Sequence, residues 1–290
     1  MTVIAEALMS GGHETSTKWP KTNLDIGVNV DRIGLDRSLP RASKVTRMKE
    51  CLMRFMFDVA FRIPFARDAL YSRQPFPRWP YMYSPIQMET LSRLLLSTTV
   101  PGSVVEVGCN QGWTSAYLLQ VLKQANIDRQ YVGIDTFAGF LRQDIEAEYG
   151  RGKTRGTYDN YFMVCKKHWY DYSLRREGHQ NVRSYQADAA TFDYGVVAPI
   201  AFLLIDVDLY RPVLLTLRAA WKHLSPGGVI IVDDCDPASA LWDGAHQAYV
   251  EFCAEVGVEP EIFVGKLGVL RPREAHYGSQ CVASAAGSNS

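Results

Sequence analysis

Short apolar runs typical of buried strands alternate with helical stretches along the middle of the chain, and this alternation is the strongest constraint on the fold. The strand-like runs are rich in β-branched residues, and the order strand, helix, strand occurs twice. Strands in this order usually lie parallel, with helices packed on both faces of the sheet. We therefore predict an α/β fold with a Rossmann-like, doubly wound, mostly parallel seven-stranded sheet. The predicted strands include 103–107, 130–135, 182–187, 201–205 and 229–232, and the predicted helices include 114–124 and 213–223.

Three regions are predicted along the chain. Residues 1–82 form an N-terminal arm and helical extension, residues 83–276 form the catalytic domain, and residues 277–290 form a disordered tail. A proline-rich loop at 74–85 marks the border of the domain. The aromatic side chains of this loop are candidates to line a pocket.

Two segments inside the domain have a predicted local structure. The insert between residues 137 and 180 is too long for an ordinary loop, and we expect it to contain a helix at about 158–174. The sequence SPGG at 225–228 is expected to end the helix that precedes the strand 229–232, because glycine favours helix ends and proline cannot continue a helix.

The N-terminal extension is expected to mediate assembly. Its segment 44–71 carries apolar side chains at helical spacing, which predicts an amphipathic helix that packs on the body of the protein or on a second subunit. These side chains are Leu52, Phe55, Met56, Val59 and Ile63. Such a helix exposes more apolar surface than a monomer usually leaves in water, so we predict a homodimer or a larger homo-oligomer.

The charge balance and the cysteine pattern narrow the possible partners. The 31 basic and 31 acidic side chains cancel, and 47% of the residues are hydrophobic, so we expect a globular enzyme with no nucleic-acid partner. The N-terminus lacks the features of a signal peptide and no apolar run is long enough for a membrane span, so no membrane partner is expected. The six cysteines form no C-x-x-C pair, which favours reduced thiols and a cytoplasmic location.

The turn after the first strand is a candidate cofactor site. The sequence EVGCNQG at 106–112 leads directly into a helix, and Gly108 and Gly112 allow a ligand to approach main-chain N–H groups. The same glycines also suit a tight turn without a ligand. Glu106 would repel a pyrophosphate but attract a ligand that carries sulfonium and ammonium groups, and the sequence has neither a G-x-G-x-x-G turn nor a P-loop. These features point to S-adenosylmethionine.

Two further carboxylates follow the next strands. Asp135 ends the second strand, where a carboxylate can accept hydrogen bonds from both ribose hydroxyls of a nucleoside. Asp188 follows the third strand. At this position it could accept a hydrogen bond from an adenine amino group. Each of them could instead be a cap or a solvated turn residue. Asn110 and Thr136, which lie in the same turns, complete the predicted cofactor site.

Acidic residues also follow the two later strands: Asp206 and Asp208 follow the first of them, and Asp233 and Asp234 follow the second. Parallel strands end at the same edge of a sheet, so these carboxylates should converge. They repel one another unless a cation neutralises them, and Mg²⁺ or another divalent cation prefers such oxygen ligands. We predict Asp206, Asp233 and Asp234 as metal ligands, with Asp208 supporting them indirectly or capping a helix. In the alternative reading, all four only cap helices or solvate loops.

A divalent cation at this position would suit the transfer of a methyl group to an oxygen. Such an ion can hold two neighbouring substrate oxygens and lower the pKa of one, which favours a diol or catechol acceptor. Asp206 is the first candidate for a combined ligand and proton acceptor, and it is also expected to contact the cofactor. His246, on the helix predicted after Asp233 and Asp234, is a second candidate base and also suits an exposed helix position.

Five of these segments together resemble the macrocin O-methyltransferase family. They are EVGCNQG at 106–112, GIDTFAG at 133–139, IDVDLY at 205–210, LSPGG at 224–228 and VDD at 232–234. The similarity spans roughly residues 83–271. The resemblance implies an S-adenosylmethionine-dependent O-methyltransferase of class I that acts on a small hydroxylated acceptor. In this family the acceptors are sugar hydroxyls of macrolide, aminocoumarin and related glycosides.

The resemblance also implies roles for individual residues. Asp206, Asp233 and Asp234 match the divalent-metal ligands of the family, and Glu106 and Asp135 match its cofactor contacts. The chain departs from the family pattern in two places. Its turn reads CNQG at 109–112, where the family is richer in Gly and Ser, and CDP at 235–237 follows the Asp pair where the family commonly has Tyr-Gly. These departures concern the acceptor more than the cofactor.

Three other functions are compatible with parts of this pattern. A catechol-type or phenol-type O-methyltransferase also combines acidic strand ends with a metal. A non-catalytic S-adenosylmethionine-binding subunit would keep the sheet without the chemistry, but it has no need of three mutually repelling carboxylates. A nicotinamide oxidoreductase is disfavoured by Glu106 and by the missing glycine fingerprint.

Overall fold

The computed structural model describes residues 82–159, 161–163 and 165–272, together with residues 52, 55, 56, 59, 62 and 63. From residue 82 onward, the described helices are α1 (Pro85–Ser97), α2 (Trp113–Gln124), α3 (Arg142–Gly150), α4 (Lys167–Arg176), α5 (Tyr210–Ala220) and α6 (Asp243–Val256). The strands are β1 (Ser103–Val107), β2 (Tyr131–Asp135), β3 (Val182–Gln186), β4 (Ile200–Ile205), β5 (Leu224–Val232), β6 (Glu261–Phe263) and β7 (Leu267–Leu270).

The seven strands form one sheet in the order β3-β2-β1-β4-β5-β7-β6. The strands β1 to β5 are parallel, whereas β7 pairs antiparallel with both β5 and β6. This arrangement confirms the predicted Rossmann-like, doubly wound, mostly parallel sheet. The chain builds outward in opposite directions from β1 and β4, and ligands of such sheets bind beyond the carboxyl ends of the strands at this point.

Two apolar layers cover the sheet, because successive side chains of a strand point to opposite faces. Val105 and Leu203 belong to one layer, which packs against α5 and α6. Their neighbours Val104 and Phe202 belong to the other, which packs against α1 and α2. The central strands are buried on both faces, as expected for continuous apolar runs in a parallel sheet.

Helix α1 begins with a capping box that fixes the start of the described domain. The Ser84 hydroxyl accepts a hydrogen bond from the Gln87 N–H (3.4 Å), and the Gln87 side-chain oxygen accepts one from the Ser84 N–H (2.7 Å). Pro85 occupies the first helical position, where its missing N–H has no cost. This cap holds Tyr83 directly before the helix, and the side chain of Tyr83 is buried.

The insert between β2 and β3 differs from the prediction. It contains the two helices α3 and α4, whereas the helix predicted at about 158–174 begins only at Lys167. Tertiary contacts explain the difference. The Tyr158 hydroxyl donates to the Leu241 carbonyl (2.7 Å), and Phe162 has a left-handed backbone with φ of 57° that a continuing helix does not allow.

The glycines of the SPGG segment also have a different role from the one predicted. Helix α5 ends at Ala220 before a short 3₁₀ turn, and residues 225–228 already belong to β5. Leu224 pairs with Ile200 of β4, and the register then shifts before the apolar part of the strand. Gly227, with φ of 79°, supplies the backbone conformation for this irregularity. The helix therefore ends earlier than the sequence pattern indicates.

The described positions of the N-terminal extension agree with the predicted amphipathic helix. Leu52, Phe55, Met56 and Val59 have helical backbones, and their side chains are 42–66% exposed. Arg62 is also helical, whereas Ile63 lies in a bend, and the remaining residues up to 81 and the tail at 277–290 lie outside the described residues. The homo-oligomer therefore stays a prediction. Among the described residues, no helix combines the length and apolar character needed to cross a bilayer.

We predict that Gly133→Ala destabilises the fold, because β2 lies directly beneath Tyr170 of α4. A Cβ atom at Gly133 would lie 2.4 Å from the Tyr170 hydroxyl oxygen, and Tyr170 is fully buried. We expect a loss of roughly 1–3 kcal/mol of unfolding free energy, the usual effect of overpacking. Urea denaturation measures it.

Gly150→Ala is the matched control for this substitution. A Cβ atom at Gly150, the last residue of α3, would meet no atom within 4 Å. Alanine is also the better helix former, so this variant should be as stable as the wild type or more stable by up to about 1 kcal/mol. Equal unfolding free energies for the two variants would contradict the packing argument.

Candidate active site

A cavity of about 630 Å³ opens at the carboxyl ends of the five parallel strands. Among the described residues, its lining holds eight acidic side chains and one basic side chain. The acidic ones are Glu106, Asp135, Asp144, Asp188, Asp206, Asp208, Asp233 and Asp234, and the basic one is Lys266. A lining with this balance of charge attracts cations and repels polyanions.

The turn from β1 into α2 depends on its glycines. Gly108 has a φ of 87°, and a Cβ atom there would lie 1.7 Å from the Asp206 carbonyl oxygen. Gly112 has a φ of 81°, and a Cβ atom there would lie 2.8 Å from the Tyr170 ring. Only glycine fits at either position, so the turn can lie directly against β4 and α4. Gly108 and Asn110 line the cavity, whereas the cavity lining does not include Gly112, whose described role is packing.

Glu106 is a buried carboxyl group of β1 that lines the cavity. It is 2% exposed and accepts hydrogen bonds from the Tyr131 hydroxyl (2.6 Å) and from the Ser115 hydroxyl. Burial raises the pKa of Glu106 to about 7, although both hydrogen bonds act in the opposite direction. Because burial disfavours the charged form, a cation placed beside Glu106 would relieve an electrostatic cost.

Asp135 joins the turns that follow β1 and β2. Its Oδ2 accepts from the Asn110 N–H (2.8 Å) and its Oδ1 accepts from the Phe137 N–H (2.6 Å). Burial raises the pKa of Asp135, and these backbone hydrogen bonds oppose the rise. Thr136 lies beside it in the cavity lining and donates to the Gly139 carbonyl (2.7 Å). The structure therefore gives Asp135 the turn-holding role as well as a position on the cavity.

Asp188 follows β3, holds a turn and lines the cavity. One of its carboxylate oxygens accepts from the Ala190 N–H (2.9 Å), and the other accepts from the Gln143 side-chain amide (3.0 Å). The side chain lines the cavity at the same time. The alternative role as a turn residue is therefore observed, and the contact with a ligand stays a prediction.

Three carboxylates of the acidic strand ends approach one another closely. Asp206, Asp208 and Asp234 each offer an oxygen, and these three oxygens lie within 4.8 Å of one another. Asp208, which was expected only to support the ligands or cap a helix, is thus one of the three, whereas the predicted ligand Asp233 is not. Strand β4 ends at Ile205, and Asp208 has a left-handed backbone with φ of 59°, which turns its carboxylate back towards the cluster.

The electrostatics of the cluster follow from its burial. Asp206 and Asp208 have pKa values raised well above the ordinary range, first by burial and then by the neighbouring carboxylates. Asp233 is 3% exposed, and one of its oxygens, Oδ1, is buried without a hydrogen-bond partner in the described part of the chain. A buried carboxylate oxygen without a donor indicates a position that a cation could satisfy.

Two residues that sequence reasoning did not select complete the cluster. The Tyr83 hydroxyl donates to Asp206 Oδ2 (3.0 Å), and Lys266 Nζ contacts Asp233 Oδ2 (2.7 Å) and Asp234 Oδ1 (3.2 Å). Tyr83 belongs to the proline-rich loop, so the expectation that aromatic residues of this loop line a pocket is confirmed for it. Lys266 lies between two short strands at the end of the domain, and no local sequence signal marks it.

His246 lies on α6, as predicted, and is partly exposed. The described residues that line the cavity do not include it. Its role as a base therefore stays a prediction without support from its position.

Aromatic side chains form one wall of the cavity. Phe140 and Phe162 line the cavity, and their ring centroids lie 5.3 Å apart in an edge-to-face arrangement. Trp242, in the segment before α6, packs on both rings at 6.2 and 6.4 Å. The wall therefore connects the insert after β2 with the segment that follows Asp233 and Asp234.

Comparisons with known proteins agree with this geometry. Residues 105–235 match a family model described as a methyltransferase domain. The chain is 26% identical over 227 residues to mycinamicin III 3''-O-methyltransferase of Micromonospora griseorubida. The match covers 73% of this chain and 85% of that protein. The predicted resemblance to the macrocin O-methyltransferase family is thereby confirmed.

Two solved structures share the fold. The O-methyltransferase NovP is 21% identical, has a TM-score of 0.53, and matches over 64% of this chain and 79% of its own. The calicheamicin methyltransferase CalS11 is 20% identical, has a TM-score of 0.53, and matches over 70% of this chain and 89% of its own. At these identities the likeness concerns the fold.

We predict that Glu106→Gln changes how stability depends on pH. The pKa of Glu106 rises from 4.5 to about 7 on folding, so its protonated form favours the folded state below pH 4.5, and this contribution is lost as the pH rises through 7. Between about pH 5.5 and 8.5, the ligand-free variant should gain about 2 kcal/mol of unfolding free energy relative to the wild type. Urea denaturation at several pH values measures the gain.

The control for this prediction is Glu259→Gln, at an exposed position. Its stability relative to the wild type should stay constant over the same pH range, because water surrounds this side chain in both the folded and the unfolded state. If Glu106→Gln behaved in the same way, Glu106 would not be titrating with a raised pKa.

Proposed function

We propose that this S-adenosylmethionine-dependent O-methyltransferase, which is of the macrocin O-methyltransferase type, methylates a sugar hydroxyl of a glycosylated natural product with the help of a divalent cation. The observation that carries the proposal is the opening of the glycine turn and the acidic cluster into one cavity. The names of two relatives support the acceptor class, since one is a mycinamicin III 3''-O-methyltransferase and another a calicheamicin methyltransferase.

The cofactor is proposed to bind in the half of the cavity formed after β1, β2 and β3. When bound there, S-adenosylmethionine supplies an activated methyl group on a sulfonium. Glu106 would face its ammonium and sulfonium end, where the buried carboxyl group gains a cationic partner. Asp135 would accept from the ribose hydroxyls, and Asp188 would accept from the adenine amino group. Gly108, Asn110 and Thr136 would line the same half.

The residues of the acidic cluster fit a divalent cation. Asp206 and Asp234 each offer a carboxylate oxygen, and Asp208 or Asp233 supplies a third. Mg²⁺ prefers oxygen ligands of this kind and keeps further positions for water or substrate. When bound, such an ion would orient the acceptor and lower the pKa of its hydroxyl group.

Asp206 is the proposed proton acceptor. Its backbone lies against Gly108, so its side chain belongs to the border between the cofactor half and the acidic cluster. The proton of the acceptor hydroxyl would move to a carboxylate oxygen of Asp206 as the methyl group passes from the sulfonium to the acceptor oxygen, and the cofactor would leave as the neutral thioether S-adenosylhomocysteine. Tyr83, which donates to Asp206 Oδ2, would hold the carboxylate in place during this step. Alignment of the two reacting atoms can itself lower the barrier by about 7–11 kcal/mol.

The aromatic wall is the proposed acceptor subsite. Phe140 and Phe162 offer apolar ring surface beside the cluster, and Met82, Met163 and Leu141 extend it. Ligand sites commonly combine such an apolar lining with a few polar groups that fix orientation. A glycoside matches this combination, because its sugar hydroxyls can reach the carboxylates while its less polar parts contact the wall.

We predict that glycosides are methylated in preference to catechols and free phenols. The purified enzyme would be incubated with S-adenosylmethionine and Mg²⁺ and with a panel of macrolide and aminocoumarin glycosides, their aglycones, and simple catechols. Mass spectrometry should find one added methyl group on the glycosides but not on the aglycones. Methylation of catechols alone would replace the proposal by a catechol-type function. A chain that binds the cofactor but methylates no member of the panel would favour the non-catalytic alternative.

We also predict that turnover requires a divalent cation. EDTA should abolish methyl transfer and Mg²⁺ should restore it. Asp233→Asn and Asp208→Asn keep the side-chain shape but remove a charge, and the substitution of a true ligand should lower kcat by about tenfold or more. Because neither residue is a proposed cofactor contact, affinity for S-adenosylhomocysteine should stay within about twofold in calorimetry.

Asp128→Asn, at an exposed position, is the control for this comparison and should keep both properties. An equal loss of kcat in Asp208→Asn and Asp233→Asn would indicate that both side chains act on the cation. If metal-free enzyme, verified by elemental analysis, turned over at the same rate with and without Mg²⁺, the aspartates would have to act without a metal.

A further inference from the structure

Lys266 is held in the acidic cluster by its backbone as well as by its side chain. It lies in the turn between β6 and β7, where Val264 and Gly265 have positive φ values of 45° and 84°. The Lys266 carbonyl accepts from the N–H of Cys235, the residue after Asp234 (2.7 Å). The Gln87 side chain of α1 donates to the Val264 carbonyl (3.2 Å). The position of this lysine is therefore fixed by three separate elements.

The side chain of Lys266 carries the one positive charge found among the described residues that line the cavity. Its ammonium nitrogen contacts Asp233 and Asp234 and lies 4.5 Å from the centre of the Tyr83 ring. The side chain is only 17% exposed, so water screens these interactions weakly. Lys266 thus balances part of the charge of a cluster that would otherwise repel itself.

The two carboxylate oxygens of Asp233 have different surroundings. Its Oδ2 contacts Lys266, whereas its Oδ1 is buried and has no hydrogen-bond partner within the described residues. Asp234 likewise contacts Lys266 through Oδ1, while a carboxylate oxygen of Asp234 lies within 4.8 Å of those of Asp206 and Asp208. Both carboxylates that hold the lysine are therefore also placed to hold a divalent cation.

We infer that Lys266 is a positioning residue that acts as a resident counter-ion: it keeps Asp233 and Asp234 in place without a metal and lowers the affinity of the cluster for a divalent cation. The inference rests on the metal site of the proposed function. The physical reason is that the lysine ammonium group and a divalent cation would compete for the same carboxylates. Two positive charges held by the same carboxylates repel each other, and the repulsion is strong where little water screens it. Without the lysine, the carboxylates would repel one another more strongly, and they would gain more from a metal.

A purely structural ion pair would behave differently. Its removal would destabilise the protein, because the loss of one partner leaves buried charge uncompensated. It would not tighten metal binding, and disorder among the ligands would weaken it. The sign of the change in metal affinity therefore separates the two roles.

The test compares the full-length chain with Lys266→Met and Lys266→Arg, titrated with Mg²⁺ alone in a calorimeter and melted with and without Mg²⁺. Lys266→Met should bind Mg²⁺ about fivefold or more tightly than the wild type, the usual lower range of coupling between two charged sites. Its metal-free melting temperature should fall by roughly 3 °C or more, and saturating Mg²⁺ should recover most of the loss. Lys266→Arg keeps the charge and should stay within about twofold of the wild type in Mg²⁺ affinity.

Lys167→Met is the matched control, because it also removes a lysine that contacts an aspartate, Asp171, but outside the cavity lining. Its Mg²⁺ affinity should equal that of the wild type. Unchanged or weaker Mg²⁺ binding by Lys266→Met would overturn the inference. Mg²⁺ binding by Lys266→Met but not by the wild type would support the inference and contradict a metal-dependent function. Binding by neither protein would overturn both.

Discussion

The parallel pairing of β4 with β5 places the aspartates, and the rest of the candidate active site depends on it. Ile205 lies opposite Val232, so the chain leaves the sheet at Asp206 and Asp233 side by side. The Asp233 N–H continues the ladder to the Ile205 carbonyl (2.8 Å), and the Asp206 N–H continues it to the Val107 carbonyl of β1 (2.8 Å). Backbone hydrogen bonds therefore bring the carboxylates together, and the apolar layers on both faces of the sheet stabilise an arrangement that charge repulsion opposes.

The repulsion among these buried carboxylates links the chemistry of the site to the stability of the fold. Burial raises the pKa of Glu106 and of Asp206, both of which line the cavity. Each carboxyl group is thus held where its charged form is unfavourable until a cation approaches. Cations that bind the folded state alone also stabilise it. Among the described residues that line the cavity, Lys266 supplies the one positive charge that balances the carboxylates. The proposed cofactor and divalent cation would supply further positive charge.

The sequence was sufficient for the sheet and for the carboxylates that follow its strands, because both depend on neighbours in the chain. Predicted strand limits agree within one residue for the four parallel strands β1 to β4, and Asp206, Asp208, Asp233 and Asp234 line one cavity, as strand-end convergence predicts. Tyr83 and Lys266 were not selected, because their partners are distant: Tyr83 and Asp206 are 123 positions apart. The predicted helix limits of the insert were wrong for the same reason, because contacts with the distant segment before α6 determine where its helices lie.

The buried hydroxyls around Glu106 have a consequence for how this architecture can vary between relatives. Tyr170 of the insert helix α4 donates to the Ser115 hydroxyl (3.0 Å), which in turn donates to Glu106. The insert therefore contributes a hydroxyl to the chain of hydrogen bonds that orients Glu106. It contributes a second donor to the cavity carboxylates, because the Gln143 side chain donates to Asp188 (3.0 Å). A transplanted insert would have to keep both donors, so the segment that carries the aromatic wall cannot be exchanged independently of the carboxylates that line the cavity.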